Sequence, residues 1–378
     1  MQQMGIDRRD FCLGGCAGLG TLASPVLNST LDAGAPQPRS LYAAARKDVA
    51  GSFSAVLFSS KGPHRSVPLP GRGHDVAVRP HSDEVVVFAR RPGRFAVVFS
   101  RQKSQTPFTF FARPQRHFYG HGVFSPDGRL LFTTENDYDN GVGMIGVWDA
   151  TNRYQWIGEF SSHGVGPHDL ALLTDGSSLV VANGGIETHP SSGRSILNRA
   201  EMAPSLVYID CRTGDLLEKC PLPKTLHQLS IRHLTVADKD RVVFGCQFKG
   251  PADQKPPLMG MHDRGGELKF MALPANIHHQ FKNYIGSVCA DQSGEIVAAS
   301  APRGNLVGFW RVRDGQFLNK KTIPDGCGLA RGDGPEDFLI TSGQGTMVVG
   351  GKETSFAKTA FDNHAVRVSP PPSGFFKR

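Results

Sequence analysis

Five histidines begin similar strands in a repeated pattern, and the imidazole side chain is the commonest metal ligand in proteins. Three of them recur at intervals of 47 residues, and all five are followed by alternating apolar residues. The equivalent positions in two further copies hold Ser287 and Cys327. Imidazoles together with a thiolate suit iron, copper or zinc. The sequence therefore predicts a metal site formed by His74, His121, His168, His233, His364 and Cys327.

Two other interpretations of the same residues stay open at this level. The ring of polar side chains can line a channel that binds a small ligand without a metal. It can also be structural, because an Asp directly follows two of the histidines, in His74-Asp75 and His168-Asp169. Such neighbours can form hydrogen-bonded pairs between adjacent units of a repeat protein. A wide channel would also keep opposite histidines too far apart for one ion.

The histidines belong to a repeat of four strands. Each copy reads as a histidine-led alternating strand, a turn rich in Asp and Gly, a second and more apolar strand, and then two further strands. Clear copies begin at Gly73 (GHDVAVRPHSDEVVVFAR), Gly120 (GHGVFSPDGRLLFTTEN) and Pro167 (PHDLALLTDGSSLVVANG). Short turns of this composition between alternating runs indicate hairpins. Four antiparallel strands repeated along a chain are the mark of β-propeller blades.

Six copies are complete, and the two ends of the chain supply a seventh. Residues 41–70 read as three strands without a leading strand, and Asn363-His364-Ala365-Val366-Arg367-Val368 has the pattern of the missing one. We therefore predict an all-β fold, a seven-bladed β-propeller of four-stranded antiparallel blades over residues 36–378. A C-terminal strand completes the N-terminal blade, and such closure leaves no exposed sheet edge between the first and last blades.

Residues 1–35 are predicted to be a twin-arginine-type signal peptide. Arg8-Arg9 precede Phe11 and a short, weakly apolar, glycine-rich stretch, which is the layout of an export signal. The protein is therefore expected in the periplasm. Five cysteines remain after residue 35, so at least one thiol is left unpaired. Cys211 and Cys220 fall on neighbouring predicted strands and are candidates for a disulfide.

A second set of polar residues follows the second strand of several blades or lies in an insertion at residues 184–204. Carboxylates with imidazole suit a cation such as iron or manganese, and arginines suit an anionic ligand. Polar loops and salt bridges between blades would explain the same residues equally well. The candidates for ligand binding are Glu135, Asn136, Asn183, Glu187, His189, Arg194, Arg232 and Arg303.

Composition excludes several classes of function. The chain has 378 residues and a net charge of +8, but its basic residues form no run, which argues against nucleic acid as a partner. It has no apolar run long enough for a transmembrane helix. There is no Cys-x-x-Cys-His motif for covalent haem and no dinucleotide fingerprint after a strand. We expect neither covalent haem nor a nucleotide cofactor, and we expect a monomer.

The motifs together resemble a bacterial family, the domain of unknown function 1513. They are the twin arginines and residues 121–129 (HGVFSPDGR), 134–137 (TEND), 164–170 (GVGPHDL), 183–190 (NGGIETHP) and 362–364 (DNH). The resemblance covers essentially the whole chain after the signal. It implies a periplasmic propeller without an established reaction. It also implies an association with iron uptake, since members tend to be encoded near imelysin-type periplasmic proteins, which would be the partners.

Three functions follow as hypotheses. The first is a periplasmic protein that binds a metal ion, or a small ligand linked to a metal, in its channel during iron acquisition. The second is an interaction scaffold whose rim docks a periplasmic partner. The third is a hydrolase or oxidoreductase that acts in the channel.

Overall fold

A computed structural model describes residues 40–103, 105–356 and 358–368. The predicted signal peptide at residues 1–35 lies outside these residues. Within them the chain forms seven four-stranded antiparallel sheets. Each sheet is one blade of a β-propeller, which confirms the predicted fold and the number of blades.

The strands follow one another with short connections. Those of the first four blades in chain order are β1 (Leu41–Asp48), β2 (Phe53–Ser59), β3 (Gly62–Pro68), β4 (Gly73–Val78), β5 (Glu84–Ala89), β6 (Phe95–Ser100), β7 (Phe108–Phe111), β8 (Arg116–Phe124), β9 (Leu130–Asp137), β10 (Val142–Asp149), β11 (Gln155–Ser161), β12 (Pro167–Leu172), β13 (Ser178–Asn183), β14 (Ser205–Asp210) and β15 (Leu216–Pro221). The remaining strands are β16 (Leu229–Val236), β17 (Val242–Phe248), β18 (Met259–His262), β19 (Lys269–Phe270), β20 (Ser287–Ala290), β21 (Ile296–Ala301), β22 (Leu306–Arg311), β23 (Phe317–Thr322), β24 (Gly326–Arg331), β25 (Phe338–Ser342), β26 (Thr346–Val349), β27 (Lys352–Ser355) and β28 (Thr359–Val368).

Helical structure in the described residues is confined to single turns. There is one α-helical turn, α1 (Ala275–His278). The 3-10 turns are Pro190–Ser192, Arg199–Glu201, Lys224–Leu226, Asp238–Asp240, His279–Phe281 and Pro302–Gly304. In the described part of the chain, no helix has the length and hydrophobicity needed to cross a membrane.

The last strand closes the ring as the sequence predicts. β28 pairs antiparallel with β1, with Val368 opposite Leu41 and Thr359 opposite Asp48, and the first sheet has the order β28-β1-β2-β3. Every innermost strand contacts the innermost strands of both neighbouring blades. The channel is therefore lined by β28, β4, β8, β12, β16, β20 and β24.

The core lies between the faces of neighbouring blades. All six residues of β6 are buried, because blades cover both faces of this strand. Phe88 of β5, Phe118 of β8 and Trp148 of β10 are buried together between the second and third blades. Their ring centroids lie 5.9 Å (Phe88–Phe118) and 6.0 Å (Phe118–Trp148) apart. Middle strands therefore read as continuous apolar runs, whereas outer strands such as β15 carry exposed polar residues.

This packing gives a stability prediction. Phe88 is 0% exposed, whereas Phe111 in the same blade is 60% exposed. We expect Phe88→Ala to lower the free energy of unfolding by about 3–5 kcal/mol, because a large buried side chain leaves a cavity. Phe111→Ala should change it by no more than about 0.5 kcal/mol. Denaturant unfolding measures both values, and equal losses in the two variants would contradict this description of the core.

The candidate disulfide between Cys211 and Cys220 is absent from the structure, in which both thiols are free. In the β14–β15 hairpin, Cys220 pairs with Leu206. Cys211 follows Asp210 at the opposite end of that hairpin. Adjacent strands were predicted correctly, but the register separates the two sulfur atoms along the strand direction.

An irregularity in the innermost strands positions the channel side chains. Six of these seven strands show a register shift against the next strand, and the shift falls at or beside the histidine position or, in β24, beside Cys327. β20, which carries Ser287 at this position, pairs without a shift. Such bulges change the direction in which a side chain points. They account for the convergence of side chains from separate blades near one point of the channel.

Candidate metal centre and the basic cavity beside it

All five predicted histidines meet in the channel, and each is buried. His121, His168, His233 and His364 form a closed loop of rings, with successive centroids 5.0, 4.7, 4.7 and 4.7 Å apart. His74 lies beside them, 4.6 Å from His364 and 4.9 Å from His121. A seven-bladed channel could have kept opposite histidines too far apart to bind one ion. Here the rings are in contact, because the strand bulges direct them toward one point.

Four of these rings have a buried nitrogen without a hydrogen-bond partner among the described residues. The atoms are Nε2 of His121, Nδ1 of His168, Nδ1 of His233 and Nε2 of His364. A buried polar atom left unpaired costs free energy, so native proteins seldom keep several of them together. A group of buried imidazole nitrogens without hydrogen-bond partners in one place is an arrangement that a bound metal ion would stabilise.

His121 is the histidine that carries charge. Its Nδ1 lies 3.0 Å from a carboxylate oxygen of Asp75 and 3.3 Å from one of Asp169. Burial alone lowers the pKa of His121, but the charges of Asp169 and Asp75 outweigh burial and raise it to about 10. In this charged form both ring nitrogens carry a proton, and Nδ1–H donates to the carboxylates, which only accept hydrogen bonds. A metal ion that binds Nε2 must therefore displace the proton on that nitrogen.

Asp75 and Asp169 come from blades on either side of His121, which confirms that an Asp following a channel histidine can link neighbouring blades. A histidine that donates Nδ1–H to a carboxylate is also oriented and made more basic as a metal ligand. The structural and metal-binding interpretations of the His-Asp pairs are therefore compatible.

The other four histidines are held in the neutral form. Burial lowers the pKa of His74, His168 and His233 well below the ordinary value. Burial, and next the charge of His121, lower the pKa of His364 to about 4. Neutral imidazole is the form that binds metals. The cluster thus offers metal-binding nitrogens at neutral pH.

Two sets of three ligands have the spacing of a candidate site. They are His74, His121 and His168, and His121, His233 and His364, with the ligand atoms of each set within 4.8 Å of one another. Ligand nitrogens about 2.0–2.1 Å from a tetrahedral ion would be about 3.4 Å apart. Rotations of the rings that bring these nitrogens closer by up to about 1.4 Å would complete either set. His121 belongs to both.

Cys327 does not join the cluster, although the sequence places it in the ring. Its thiol points to the backbone carbonyls of Phe361 and Asp362, with Sγ–O distances of 3.6 and 3.3 Å. Burial raises the pKa of this thiol above its ordinary range. Cys327 is therefore not among the candidate metal ligands in this structure, because backbone carbonyls of β28 are the partners of its thiol. Ser287, by contrast, lies 3.5 Å from Nδ1 of His364.

Gly120 shows how closely the backbone approaches the cluster. It has a φ of +109°, in the region that side chains rarely adopt, and a Cβ placed there would lie 2.6 Å from Cδ2 of His74. Glycine before His121 is therefore required both by the backbone conformation and by the position of the neighbouring ring.

A cavity of about 220 Å³ lies on one side of the histidines, with His74, His168 and His233 in its wall. A second cavity, on the other side, is lined by His121 and His364 together with Asp75 and Asp169. The histidine cluster therefore separates two cavities of different charge.

The first cavity is strongly basic, and we call it the basic cavity. No Asp or Glu is among the described residues that line it. The basic residues that line it are Arg90, Arg91, Arg194, Arg232, Lys249 and Arg303.

Few carboxylates neutralise the charges of these basic side chains. Arg90 contacts Asp362 at 3.1 Å, but that carboxylate also binds Arg72. Arg232 is 4% exposed, its Nε has no hydrogen-bond partner in the described chain, and no ion pair joins it to a described carboxylate. Burial, and next the charges of Arg232 and Arg303, lower the pKa of Lys249 to about 6. The positive charges of the basic residues in this cavity therefore repel one another.

Three of the predicted ligand-binding residues, Arg194, Arg232 and Arg303, line this cavity. Arg303 also stacks on the ring of Tyr284, with its guanidinium carbon 4.2 Å from the ring centroid. The segment predicted as an insertion reaches the cavity through Arg194. The arginines predicted to hold an anionic ligand are therefore brought together by the fold.

The other predicted ligand-binding residues do not line the basic cavity. Glu135 is buried and accepts hydrogen bonds from Thr133 and Trp148 within its own blade, and burial raises its pKa to about 7. The amide of Asn183 donates to the Ser162 carbonyl. These two side chains serve the packing of their blades.

Asn136, Glu187 and His189 likewise make contacts away from the basic cavity. Asn136 donates to the Thr188 carbonyl at 3.0 Å. His189 lies 3.3 Å from Asp139 at the surface, and Glu187 packs near Gly141. The predicted position was slightly wrong, since Glu135 and Asn136 lie within β9 and Asn183 ends β13 rather than following it. The sequence also does not show which of these side chains turn toward the channel.

Arg90, Arg91 and Lys249 were missed as site residues. They stand directly after β5 and β17, at the place in the blade that Arg303 occupies after β21. Comparing that position across blades, as was done for the histidines, would have found them.

A further group of possible ligands lies away from the channel, on the fourth and fifth blades. Glu218, Cys220 and His262 have ligand atoms within 4.8 Å of one another. Both nitrogens of His262 already have partners, since Nδ1 lies 2.7 Å from the Tyr208 hydroxyl and Nε2 lies 3.1 Å from the Gly266 carbonyl. Burial, and next Glu218, raise the pKa of the Cys220 thiol to about 12. This group lacks the unpaired nitrogens that distinguish the channel.

Comparison with known proteins supports the fold and the family. A chain of Kuenenia stuttgartiensis hydrazine synthase is similar, with a TM-score of 0.59 over 83% of this chain and 95% of that chain. The two sequences are 14% identical, so the likeness concerns the fold alone. No curated protein sequence matches the chain. A model of the family described as "Protein of unknown function (DUF1513)" matches residues 67–368. The chain therefore belongs to that family.

Proposed function

We propose that this protein binds one transition-metal ion in its channel through the histidine cluster. The observation that carries the proposal is the group of four buried imidazole nitrogens without partners, on rings 4.7–5.0 Å from their neighbours. A metal ion is a partner that accepts several lone pairs at once, once the proton on Nε2 of His121 is displaced. It would relieve the cost of leaving those nitrogens unpaired.

One ion per chain is expected because His121 is common to both ligand sets and has one nitrogen free. The ligands would be His121 with two or more of His74, His168, His233 and His364. A site of imidazoles without thiolate suits zinc, copper or iron. Three protein nitrogens leave a coordination position for a further ligand, as in catalytic rather than structural metal sites.

Export to the periplasm and a role in iron acquisition stay predictions. They rest on the twin arginines and on the family resemblance, and residues 1–35 lie outside the described structure. The channel site is compatible with either copper or iron handling. We therefore make the metal ion, rather than the pathway, the object of the first test.

The test is the metal content of the full-length chain, produced without a histidine tag and measured by elemental mass spectrometry. We expect about one equivalent of zinc, copper or iron per chain, either as purified or after incubation with each ion. The double variant His168→Ala/His233→Ala should reduce this to a small fraction, since it removes one ligand from each set and neither residue forms an ion pair with a described carboxylate.

The matched control is His262→Ala, which removes a buried histidine from the peripheral Glu218–Cys220–His262 group. This variant should keep the full equivalent. Protein that is free of metal and takes up none of the three ions would overturn the proposal. So would metal that is lost in His262→Ala and kept in the double variant His168→Ala/His233→Ala.

Gly120→Ala provides a second test of the same site. The added methyl group must displace His74, and alanine is strained at the φ of Gly120. We expect metal affinity to fall at least about tenfold and the free energy of unfolding to fall by about 1–3 kcal/mol. Gly158→Ala is the control, because no atom lies within 4 Å of its added Cβ. Competition with a chromogenic chelator measures the affinity, and equal affinities in the two variants would contradict the arrangement described.

A further inference from the structure

We propose that the basic cavity is a binding site for a small multivalent anion that carries carboxylate or phosphate oxygens. The inference deepens the proposed function, because His74, His168 and His233 belong both to the metal cluster and to the wall of this cavity. It nevertheless rests on a different observation, the charge of the cavity, and can hold even if no metal binds.

Charge is the first argument. Six basic residues converge on a space of about 220 Å³ without an Asp or Glu in the described lining. Asp362 neutralises part of the charge at one edge, through Arg90 and Arg72. A buried guanidinium without an anionic partner is costly, and Arg232 is such a group. An anion in the cavity would compensate several of these charges together.

Geometry is the second argument. The basic groups come from different parts of the ring: Arg91 follows β5, Arg232 lies in β16 and Arg303 follows β21. They therefore surround the cavity rather than form a surface stripe. Guanidinium groups match the planar oxygen pairs of carboxylates and phosphates, so the site favours such oxyanions over halides.

Size and position narrow the class of ligand. The cavity is smaller than the roughly 300–1,000 Å³ of pockets for drug-sized ligands, which indicates a compact anion. The anion would lie beside the histidines, where a metal ion with an open coordination position could also bind it. The substrate class inferred for this protein is thus a small polycarboxylate or phosphate-type anion, alone or as a ligand of the channel metal.

The experiment is isothermal titration calorimetry at low ionic strength with citrate and inorganic phosphate as probes and acetate as the monovalent comparison. Metal is first removed with a chelating resin, because soluble chelators are themselves polyanions. The variants are Arg91→Gln and Arg303→Gln. Arg331→Gln is the matched control, since Arg331 lines the cavity on the other side of the histidines. The same titrations are repeated with zinc-loaded protein and phosphate.

We expect citrate, phosphate or both to bind the metal-free protein more tightly than acetate. Arg91→Gln and Arg303→Gln should each weaken binding by about 10-fold to 100-fold, the effect of removing one charge-assisted hydrogen bond. Arg331→Gln should leave affinity within about twofold. Anion binding to protein that takes up no metal would support this inference while contradicting the proposed function.

Three results would overturn the inference. The first is that neither probe binds either form of the protein. The second is binding that Arg91→Gln and Arg303→Gln leave unchanged, which places the anion elsewhere. The third is phosphate binding that requires zinc and ignores both arginines. That last result would leave the metal site standing, so the two proposals fail separately.

Discussion

His121→Ala is expected to abolish metal binding and also to destabilise the metal-free fold by about 3 kcal/mol. His121 is the histidine shared by both ligand sets, so its loss removes a ligand from each. It is also the positive partner of Asp75 and Asp169, which belong to the blades on either side. Removal of one partner from a buried charge pair costs about 3–5 kcal/mol. The lower end applies because the two carboxylates keep 17% and 14% of their side-chain exposure.

His233→Ala separates the two effects. Its Nδ1 has no hydrogen-bond partner in the described structure, and no carboxylate pairs with it. We expect weaker metal binding rather than its loss, because His74, His121 and His168 remain. The free energy of unfolding should fall by only about 1 kcal/mol, the ordinary cost of a point substitution. His121→Lys is the complementary variant, because it restores a positive charge near the carboxylates without a metal-binding imidazole. It should recover part of the stability and none of the metal.

Elemental analysis gives the metal content of the three variants, and denaturant unfolding in metal-free buffer gives their stability. Equal stability of His121→Ala and His233→Ala would show that the ion pairs of His121 with Asp75 and Asp169 contribute nothing to the free energy of unfolding. Metal retained by His121→Ala would show that the shared ligand was assigned wrongly.

Arg232→Met is expected to make the protein more stable in buffer without multivalent anions, by about 1–3 kcal/mol. Arg232 is buried without a carboxylate partner and faces other cations in the basic cavity. Methionine fills a similar volume without a charge. Replacing buried charge by apolar side chains of similar volume can stabilise a protein by about 1–4 kcal/mol. Functional sites often retain such destabilising residues.

The order of stability should reverse when the anion is supplied. A ligand at 1,000 times its dissociation constant stabilises the protein that binds it by about 4.1 kcal/mol, which exceeds the advantage expected for Arg232→Met. Saturating phosphate or citrate should therefore stabilise the wild-type chain and have little effect on Arg232→Met. Thermal unfolding with and without the anion measures both states. A variant that is less stable than wild type in both buffers would show that Arg232 supports the fold rather than a ligand.

The sequence alone was sufficient for the architecture and for the position of the histidines in it. Strand alternation, turn residues and the repeat are local properties, because each depends on residues close together in the chain. Seven blades, closure by the strand that contains His364, and five histidines at one register position all followed from them.

The tertiary structure decided which of the side chains at the ring positions meet in the channel. Cys327 shares the ring position, yet its thiol bonds to the backbone of β28. Cys220 lies in β15 and Cys211 directly follows its partner strand β14, yet the register keeps the two cysteines at opposite ends of the hairpin. A shift of one residue at a bulge changes the direction of a side chain, and spacing in the sequence does not report such shifts.

The basic cavity depends still more on the complete fold. Arg91, Arg232 and Arg303 are far apart in the chain, and each looks like an ordinary surface residue in its own repeat. Closure of the ring brings them to one space and excludes water from Arg232. The charge of this cavity is the total of basic residues contributed by several blades, so the sequence of one repeat does not reveal it. Local pattern determined which residues each blade offers, and only packing around the channel decided that they form a site.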